Sequence, residues 1–290
     1  MSENLKLKIL YTFLMFDTHC HLNFKAFEGK VSHLIQAASQ AGVSHIVVPG
    51  TDVNTSLKAF EIAHEFSHVY AAAGIHPHHV FEIYHSGRGD WTDELRRIEN
   101  LLQDEKVIAV GEVGIDRHEY GKTKYGEYRV DEAFVRLQKQ VLTAQIELAI
   151  RHRKTLILHN REAKLDILEV LESVWKPQLA GHTVLHCCEP NDDLLKYARK
   201  KHIFIGVDGD VTFSPEKEEF VKNIPMELLV LETDSPYLLP EPLRKQKMYP
   251  NKPENIPVIA SFIAEKRKLG VSVIEKQTHA NSLHLFGLLP

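Results

Sequence analysis

No apolar run in the chain reaches the roughly 20 residues that a membrane helix needs, so a membrane-spanning reading is excluded. Cysteine is scarce: Cys20, Cys187 and Cys188 are an odd number with no Cys-x-x-Cys spacing. That excludes a disulfide framework and a structural zinc knuckle. Basic charge is not in excess, because the net charge is −4, so the chain has no basic coat for gripping nucleic acid. A local phosphate site stays open, since bound metal ions can dominate the charge of a cleft. There is no internal repeat, low-complexity tract or linker. Residues 6–16 have the apolar character of a signal sequence but no small-residue cleavage site follows. Cleavage there would also remove the segment carrying His19 and His21. The cytoplasm is the expected location.

What recurs instead is an alternation of short apolar runs with longer amphipathic ones. Strand-like runs are Phe13–Asp17, His45–Pro49, Val69–Gly74, Val107–Val110, Thr155–Leu158, Thr183–Leu185, Ile203–Val207 and Leu228–Leu231. They are short, continuously apolar and rich in branched residues, as parallel strands buried on both faces require. Helices are expected near 30–41, 55–66, 92–103, 131–152, 162–174, 191–201, 215–223 and 254–269, with a final one within 271–290. In 131–152, Phe134, Leu137, Val141, Leu142, Ile146 and Leu148 recur at helical spacing. Eight strands each followed by a helix predict an α/β fold of the (β/α)8 TIM-barrel type, one domain over 1–290 with an extra C-terminal helix. A doubly wound sheet would need a glycine-rich phosphate loop after the first strand, and Asp17-Thr18-His19-Cys20-His21 is not one. The proline-rich stretch 234–257 reads as a semi-rigid lip of the active site, and 112–130 as a second long loop.

Active sites of such barrels sit at the carboxyl ends of the strands. His19 and His21, two residues apart at the exit of the first strand, share a face while Cys20 points away. Gly74-Ile75-His76-Pro77-His78-His79 follows the third strand, Glu112 the fourth, His159 the fifth, His186 the sixth, and Asp234 the eighth. Four histidines and two carboxylates at one end suit two divalent ions. Mg2+ or Mn2+ are the expected working ions, and Zn2+ or Ni2+ are compatible with the same donors. Glu112, flanked by Gly111 and Gly114 that permit close backbone approach, can bridge both ions. His19, His21 and Asp234 would complete one metal, and His159 with His186 the other. Ions ~3.5–4 Å apart clamp the attacking and leaving oxygens of an in-line displacement.

These stretches resemble the TatD-type metal-dependent deoxyribonucleases. The matching motifs are Phe16-Asp17-Thr18-His19-Cys20-His21-Leu22, Gly74-Ile75-His76-Pro77-His78, Gly111-Glu112-Val113-Gly114-Ile115-Asp116, Leu158-His159-Asn160-Arg161-Glu162-Ala163 and Leu231-Glu232-Thr233-Asp234-Ser235-Pro236-Tyr237-Leu238. They occur in the family's order across 16–290. The resemblance implies a phosphodiesterase that trims DNA from the 3′ end, acting on single-stranded or frayed strands, with no membrane and no obligatory protein partner. It also implies metal ligation by His19, His21, Glu112, His159, His186 and Asp234, with Asp234 as catalytic acid/base beside Glu112. Three departures stand out. Cys187-Cys188-Glu189-Pro190 follows His186, Arg117-His118 follows Asp116, and His284 replaces an arginine in Asn281-Ser282-Leu283-His284-Leu285-Phe286. Family chains begin near Met15, so residues 1–14 read as an extension or an over-early start.

His76, His78 and Arg161 are the candidate substrate contacts, Arg161 by bidentate pairing with phosphate. A surface salt bridge from Arg161 to Glu162 or Asp166 is the competing role. Asp234 competes as a turn residue before Pro236, and His186 as a histidine packed beside Cys187. Tyr237 and Phe213 are the candidates for base stacking. Cys20 and Cys187 are expected to pack on the barrel wall, and the other twelve histidines, such as His33, His64 and His202, on solvated surface. Two dications less two carboxylates and one hydroxide leave about one positive charge, suited to an anionic substrate. Two rivals remain open: hydrolysis of a carbonyl ester, amide or aminoacyl-tRNA ester, and a non-catalytic binding protein stabilised by metal. A panel of DNA, phosphodiester and carbonyl substrates, with metal restored after chelation, separates them.

Overall fold

Eight short runs of branched and small apolar residues form eight parallel strands in sequential order. They are β1 (Met15–Asp17), β2 (Val43–Pro49), β3 (Val69–Ala73), β4 (Val107–Asp116), β5 (Thr155–Arg161), β6 (Thr183–Leu185), β7 (Phe204–Val207) and β8 (Leu229–Leu231). The computed structural model describes residues 15–85, 90–121 and 128–289. The reading of residues 1–14, the first two residues of the expected first strand included, lies outside them. Helices between the strands cover the barrel, giving the expected (β/α)8 architecture. No described helix is long and apolar enough to cross a membrane.

Among the described residues β8 and β1 share no regular ladder. The barrel closes just beyond the strands. Thr18 N–H donates to the Leu231 carbonyl (3.0 Å), Asp234 N–H to that of His19 (2.9 Å) and His21 N–H to that of Ser235 (2.8 Å). The buried Asp17 carboxylate accepts from the Thr233 N–H (2.9 Å) and hydroxyl (2.7 Å). Closure therefore uses the segments that carry His19, His21 and Asp234.

The apolar core has two shells. Phe16, Val47, Ala72, Ala109, Ile157, Val184, Phe204 and Val230, from all eight strands, fill the barrel interior together with Leu283, Leu285 and Phe286. The last three come from the end of the C-terminal helix α10 (Val271–Leu285), which plugs the barrel's amino-terminal mouth. Phe286 stacks on Phe16 at 5.5 Å. The outer shell packs strands against helices, among them α1 (Val31–Gln40), α2 (Val53–Glu65), α5 (Glu132–His152) and α9 (Ile256–Arg267).

Helix α5 also reaches the functional end. Asp131 caps its start by accepting from Phe134 N–H at 2.8 Å. Its buried Gln138 and Gln145, seven residues apart, share one face. Gln138 accepts from Asp116 N–H (2.8 Å) and donates to the Asp116 carbonyl (3.1 Å). Gln145 does the same for Ile75, at 2.7 and 3.1 Å. The two amides thus satisfy backbone groups where β4 and β3 leave the sheet, since an unpaired buried amide is costly.

Three expectations need correction. The segment after His76, read from the sequence as a loop with no helix expected there, is a helix, α3 (Pro77–His85), because Pro77 takes the first helical position, where its missing N–H is harmless. Strand β4 runs six residues further than the apolar run, because Glu112 and Asp116 point inward where the run criterion stops at polar residues. His45 is not on solvated surface: it stacks on Phe16 at 5.2 Å, and burial followed by the nearby His279 pushes its pKa down to about 4.

Replacing Phe286 by Ala should open the inner shell and lower unfolding free energy by about 3–5 kcal/mol in a denaturant titration. The same change at the exposed Leu289 should be neutral. Equal midpoints for both variants would refute the plug.

Candidate metal centre

Glu112 is buried at the centre of the mouth, and its two oxygens face different groups. Oε2 lies 3.3 Å from His19 Nε2 and 3.6 Å from His21 Nε2. These two nitrogens are 3.2 Å apart, and Asp234 Oδ1 stands 3.5 Å from His21 Nε2 and 3.8 Å from His19 Nε2. Oε1 lies 2.8 Å from His159 Nδ1, 3.1 Å from His186 Nε2 and 3.4 Å from His76 Nε2. Local backbone brings this about. The β4–β5 register slips between Val110 and Val113, so Glu112 leaves the ladder and its N–H donates to the Gly50 carbonyl at 2.8 Å. At Gly114 a Cβ would stand 1.9 Å from the His159 carbonyl oxygen, so only glycine lets β5 come this close.

A second layer orients the imidazoles from behind. Asp116, fully buried, places Oδ2 3.3 Å from His159 Nε2 and 3.2 Å from His78 Nε2, and accepts from the Tyr120 hydroxyl at 2.8 Å. Glu232 Oε1 lies 3.4 Å from His186 Nδ1, and Thr18 donates to the other oxygen of Glu232. The Pro49 carbonyl is 3.3 Å from His21 Nδ1. Acceptors behind a ligating imidazole fix its tautomer and raise its basicity.

The groups around Glu112 are shifted in opposite directions. Burial disfavours the Glu112 carboxylate, but the charges of His186, His76 and His19 outweigh it and hold its pKa well below the usual range. For His159 burial is likewise overcome, by hydrogen bonds to Asp116 and Glu112, and its pKa rises to about 9. Against burial, the charges of Glu112 and Glu232 lift His186 well above its ordinary value. His19 is lowered by burial and by His186, and His76 is pushed down to about 3, chiefly by burial.

The donor set fits divalent cations. His19 Nδ1 is buried without a hydrogen-bond partner, and His19 Nε2 and His21 Nε2 both stand within 3.8 Å of Glu112 Oε2 and of Asp234 Oδ1. Three of the four groupings of described residues whose ligand atoms lie within 4.8 Å of one another are here: His19–His21–Asp234, His76–Glu112–His159 and His19–Glu112–His186; the fourth is Cys187–Asp208–Asp210. No thiol takes part in the three at the centre, so oxygen- and nitrogen-seeking ions are favoured there.

All six expected ligand residues thus meet at one place. Asp234 has a left-handed backbone (φ 49°) and makes the turn while its carboxylate faces His19 and His21, so the turn role does not displace the carboxylate from the cluster. His76 goes further than expected, reaching Glu112. His78 sits one layer back, on Asp116. Arg161 makes no bridge to Asp166; it donates to the Tyr120 hydroxyl at 2.9 Å and lies over that ring. Cys20 is buried as expected, whereas Cys187 is only partly buried, its sulfur 3.4 Å from the Lys217 ammonium. Phe213 is covered by the Arg244 guanidinium. Sequence reasoning missed the supporting roles of Asp116 and Glu232. The signal for Asp116 was there: it lies four residues after Glu112 in one strand, on the same face.

The chain matches the family model described as TatD related DNase over residues 16–287. The metal-dependent hydrolase YabD of Bacillus subtilis (strain 168) is 32% identical over 276 residues, spanning 94% of this chain and 99% of YabD. The 3'-5' ssDNA/RNA exonuclease TatD of Escherichia coli (strain K12) is 31% identical over 278 residues, spanning 94% and 99%. Among solved structures, the TatD homologue YJJV of Escherichia coli superposes with a TM-score of 0.81 at 26% identity, covering 95% of this chain and 98% of that one. An organophosphorus hydrolase from Deinococcus radiodurans shares the fold at 13% identity, with a TM-score of 0.63 over 94% and 93% of the two chains. With its ligand-type residues gathered at the barrel mouth, the chain belongs to the TatD-related family of metal-dependent hydrolases.

Proposed function

We propose that the protein is a phosphodiesterase that degrades single-stranded or frayed DNA from the 3′ end at a centre of two divalent ions. One observation carries this reading: each oxygen of Glu112 faces its own set of imidazoles, as a bridging carboxylate must. His19, His21 and Asp234 would hold one ion, and His159 and His186 the other. Mg2+ or Mn2+ suit the carboxylates, and Zn2+ or Ni2+ the imidazoles. When bound, the ions supply water activation and stabilise charge on the phosphoryl and leaving oxygens.

The chain's own groups do the rest. Asp234, exposed enough to meet solvent beside His21, accepts the proton of the attacking water. Asp116 and Glu232 stand behind the far nitrogens of His159 and His186, so the nitrogen facing Glu112 is the one that would give up its proton to an ion. Arg161, His76 and His78 lie on the Oε1 side and are assigned to substrate phosphate. The relatives named as exonucleases favour a nucleic-acid substrate over a carbonyl compound or a purely structural metal site. No protein partner or membrane is needed for this chemistry. We place it in the cytoplasm, where three unpaired thiols stay reduced.

Asp234→Asn should lower turnover of a 3′-labelled single strand by about 10²–10⁴-fold, the usual worth of a general acid/base. Thermal unfolding should stay unchanged. Undiminished strand degradation would remove Asp234 from the mechanism.

Metal uptake should release protons. With folded values near 9 for His159 and well above the ordinary value for His186, both imidazoles are protonated at pH 7 and must deprotonate to ligate. Calorimetry of the chelated protein in buffers of different ionisation heat should report up to about two protons per chain, with affinity rising with pH until roughly pH 9. A pH-independent affinity between pH 6 and 8 would contradict this charge arrangement.

A further inference from the structure

Residues 235–252, between β8 and α9, form a lip beside the centre. Among the described Phe, Tyr and Trp residues only Tyr237 and Tyr249 are exposed, at 54% and 58%, and both lie on this lip. Met248, 54% exposed, stands beside Tyr249. Asn251 draws the two ends of the lip together. Its N–H donates to the Pro236 carbonyl (3.0 Å), and its side chain donates to the Thr233 carbonyl (2.9 Å). Tyr249 is thereby brought back towards Tyr237.

The lip is also basic within an acidic chain. From Glu241 to Lys252 there are four cations (Arg244, Lys245, Lys247, Lys252) against one carboxylate, a net charge of +3, where the whole chain carries −4. Arg244 pairs with Glu241 at 3.4 Å and Lys252 with Glu254 at 3.3 Å. Lys245 and Lys247 are exposed and form no ion pair among the described residues.

A path of rings leads from the lip to the centre. His21 stacks on Phe24 at 4.2 Å with planes 13° apart, and Phe24 meets Tyr237 edge-on at 6.4 Å. Exposed ring faces accept any base by stacking, and unpaired ammonium groups attract a phosphate backbone. An acidic peptide would engage the lysines but make no use of two exposed tyrosines, one of them on a path of rings to the metal centre.

We propose that this lip is a binding site for single-stranded nucleic acid, with bases stacked on Tyr237 and Tyr249 beside Met248 and the sugar–phosphate backbone running past Lys245 and Lys247. It rests on the proposed function for the direction of the strand, which enters along Phe24 towards His21. The lip supplies sequence-tolerant grip, which the mouth, lined by ligands, does not.

The test is binding of a fluorescein-labelled dT12 strand to the full chain in chelator, followed by anisotropy, so that no turnover intervenes. Lys245→Gln with Lys247→Gln should weaken binding about ten-fold and flatten the salt dependence by about 1–2 in log–log slope. Tyr249→Ser should weaken it about five-fold or more with the salt slope kept, and an abasic 12-mer should be indifferent to that change. Both variants should hydrolyse bis(p-nitrophenyl) phosphate, too small to reach the lip, at the wild-type rate once metal is restored. Unchanged affinity in both variants, or displacement of dT12 by polyglutamate at equal charge, would overturn the proposal. Strand degradation by the wild type with unchanged affinity in the variants would sink the lip and leave the nuclease reading standing. Lip-dependent binding without any degradation would support the lip and sink the nuclease reading.

Discussion

A carboxylate buried at the centre of a barrel mouth is the constraint on which the rest depends. An isolated ionised carboxylate in low dielectric is far too costly to persist. Glu112 is kept ionised because imidazoles from β1, β3, β5 and β6 converge on its two oxygens. That convergence requires the strand ends to keep fixed positions relative to one another. A closed barrel presents residues from strands on opposite arcs to one point.

Closure and site assembly are one event. The hydrogen bonds that join the end of the barrel to its beginning run between residues 17–21 and 231–235, the same two segments that carry His19, His21 and Asp234. A loosened seam would therefore separate these three side chains. On the opposite arc, Gln138 and Gln145 of α5 perform the corresponding task, holding the exits of β4 and β3 by their backbones. Polar groups buried this deeply contribute by position more than by net stability, because unpaired they would be costly and paired they are worth only about 1 kcal/mol each.

Chemistry and grip are divided between two regions. Inside the mouth the imidazoles and carboxylates face mainly one another, so little remains to hold a long strand. The lip after β8 carries the opposite character: exposed rings, unpaired lysines and a tether through Asn251. Its prolines left few ways for the chain to fold back, and Asn251 chose one of them.

The sequence by itself determined the barrel, because parallel strands buried on both faces must be written as continuous branched apolar runs, and eight of them are legible. It also determined which ligand-type residues face the mouth, since strand exits fix the end of the barrel and the period of two fixes the face. Tertiary structure alone decided the rest. The turn of His76 onto Glu112 depends on a helix that begins at Pro77, and the extension of β4 to Asp116 depends on inward-facing carboxylates that interrupt the apolar pattern. Glu232 was hidden for a related reason: a fully buried carboxylate reads as surface until its partners, His186, Thr18 and the Cys187 N–H, are known. Local pattern encodes which face a side chain takes, whereas the partner waiting there belongs to a distant part of the chain, and only closure of the barrel brings the two together.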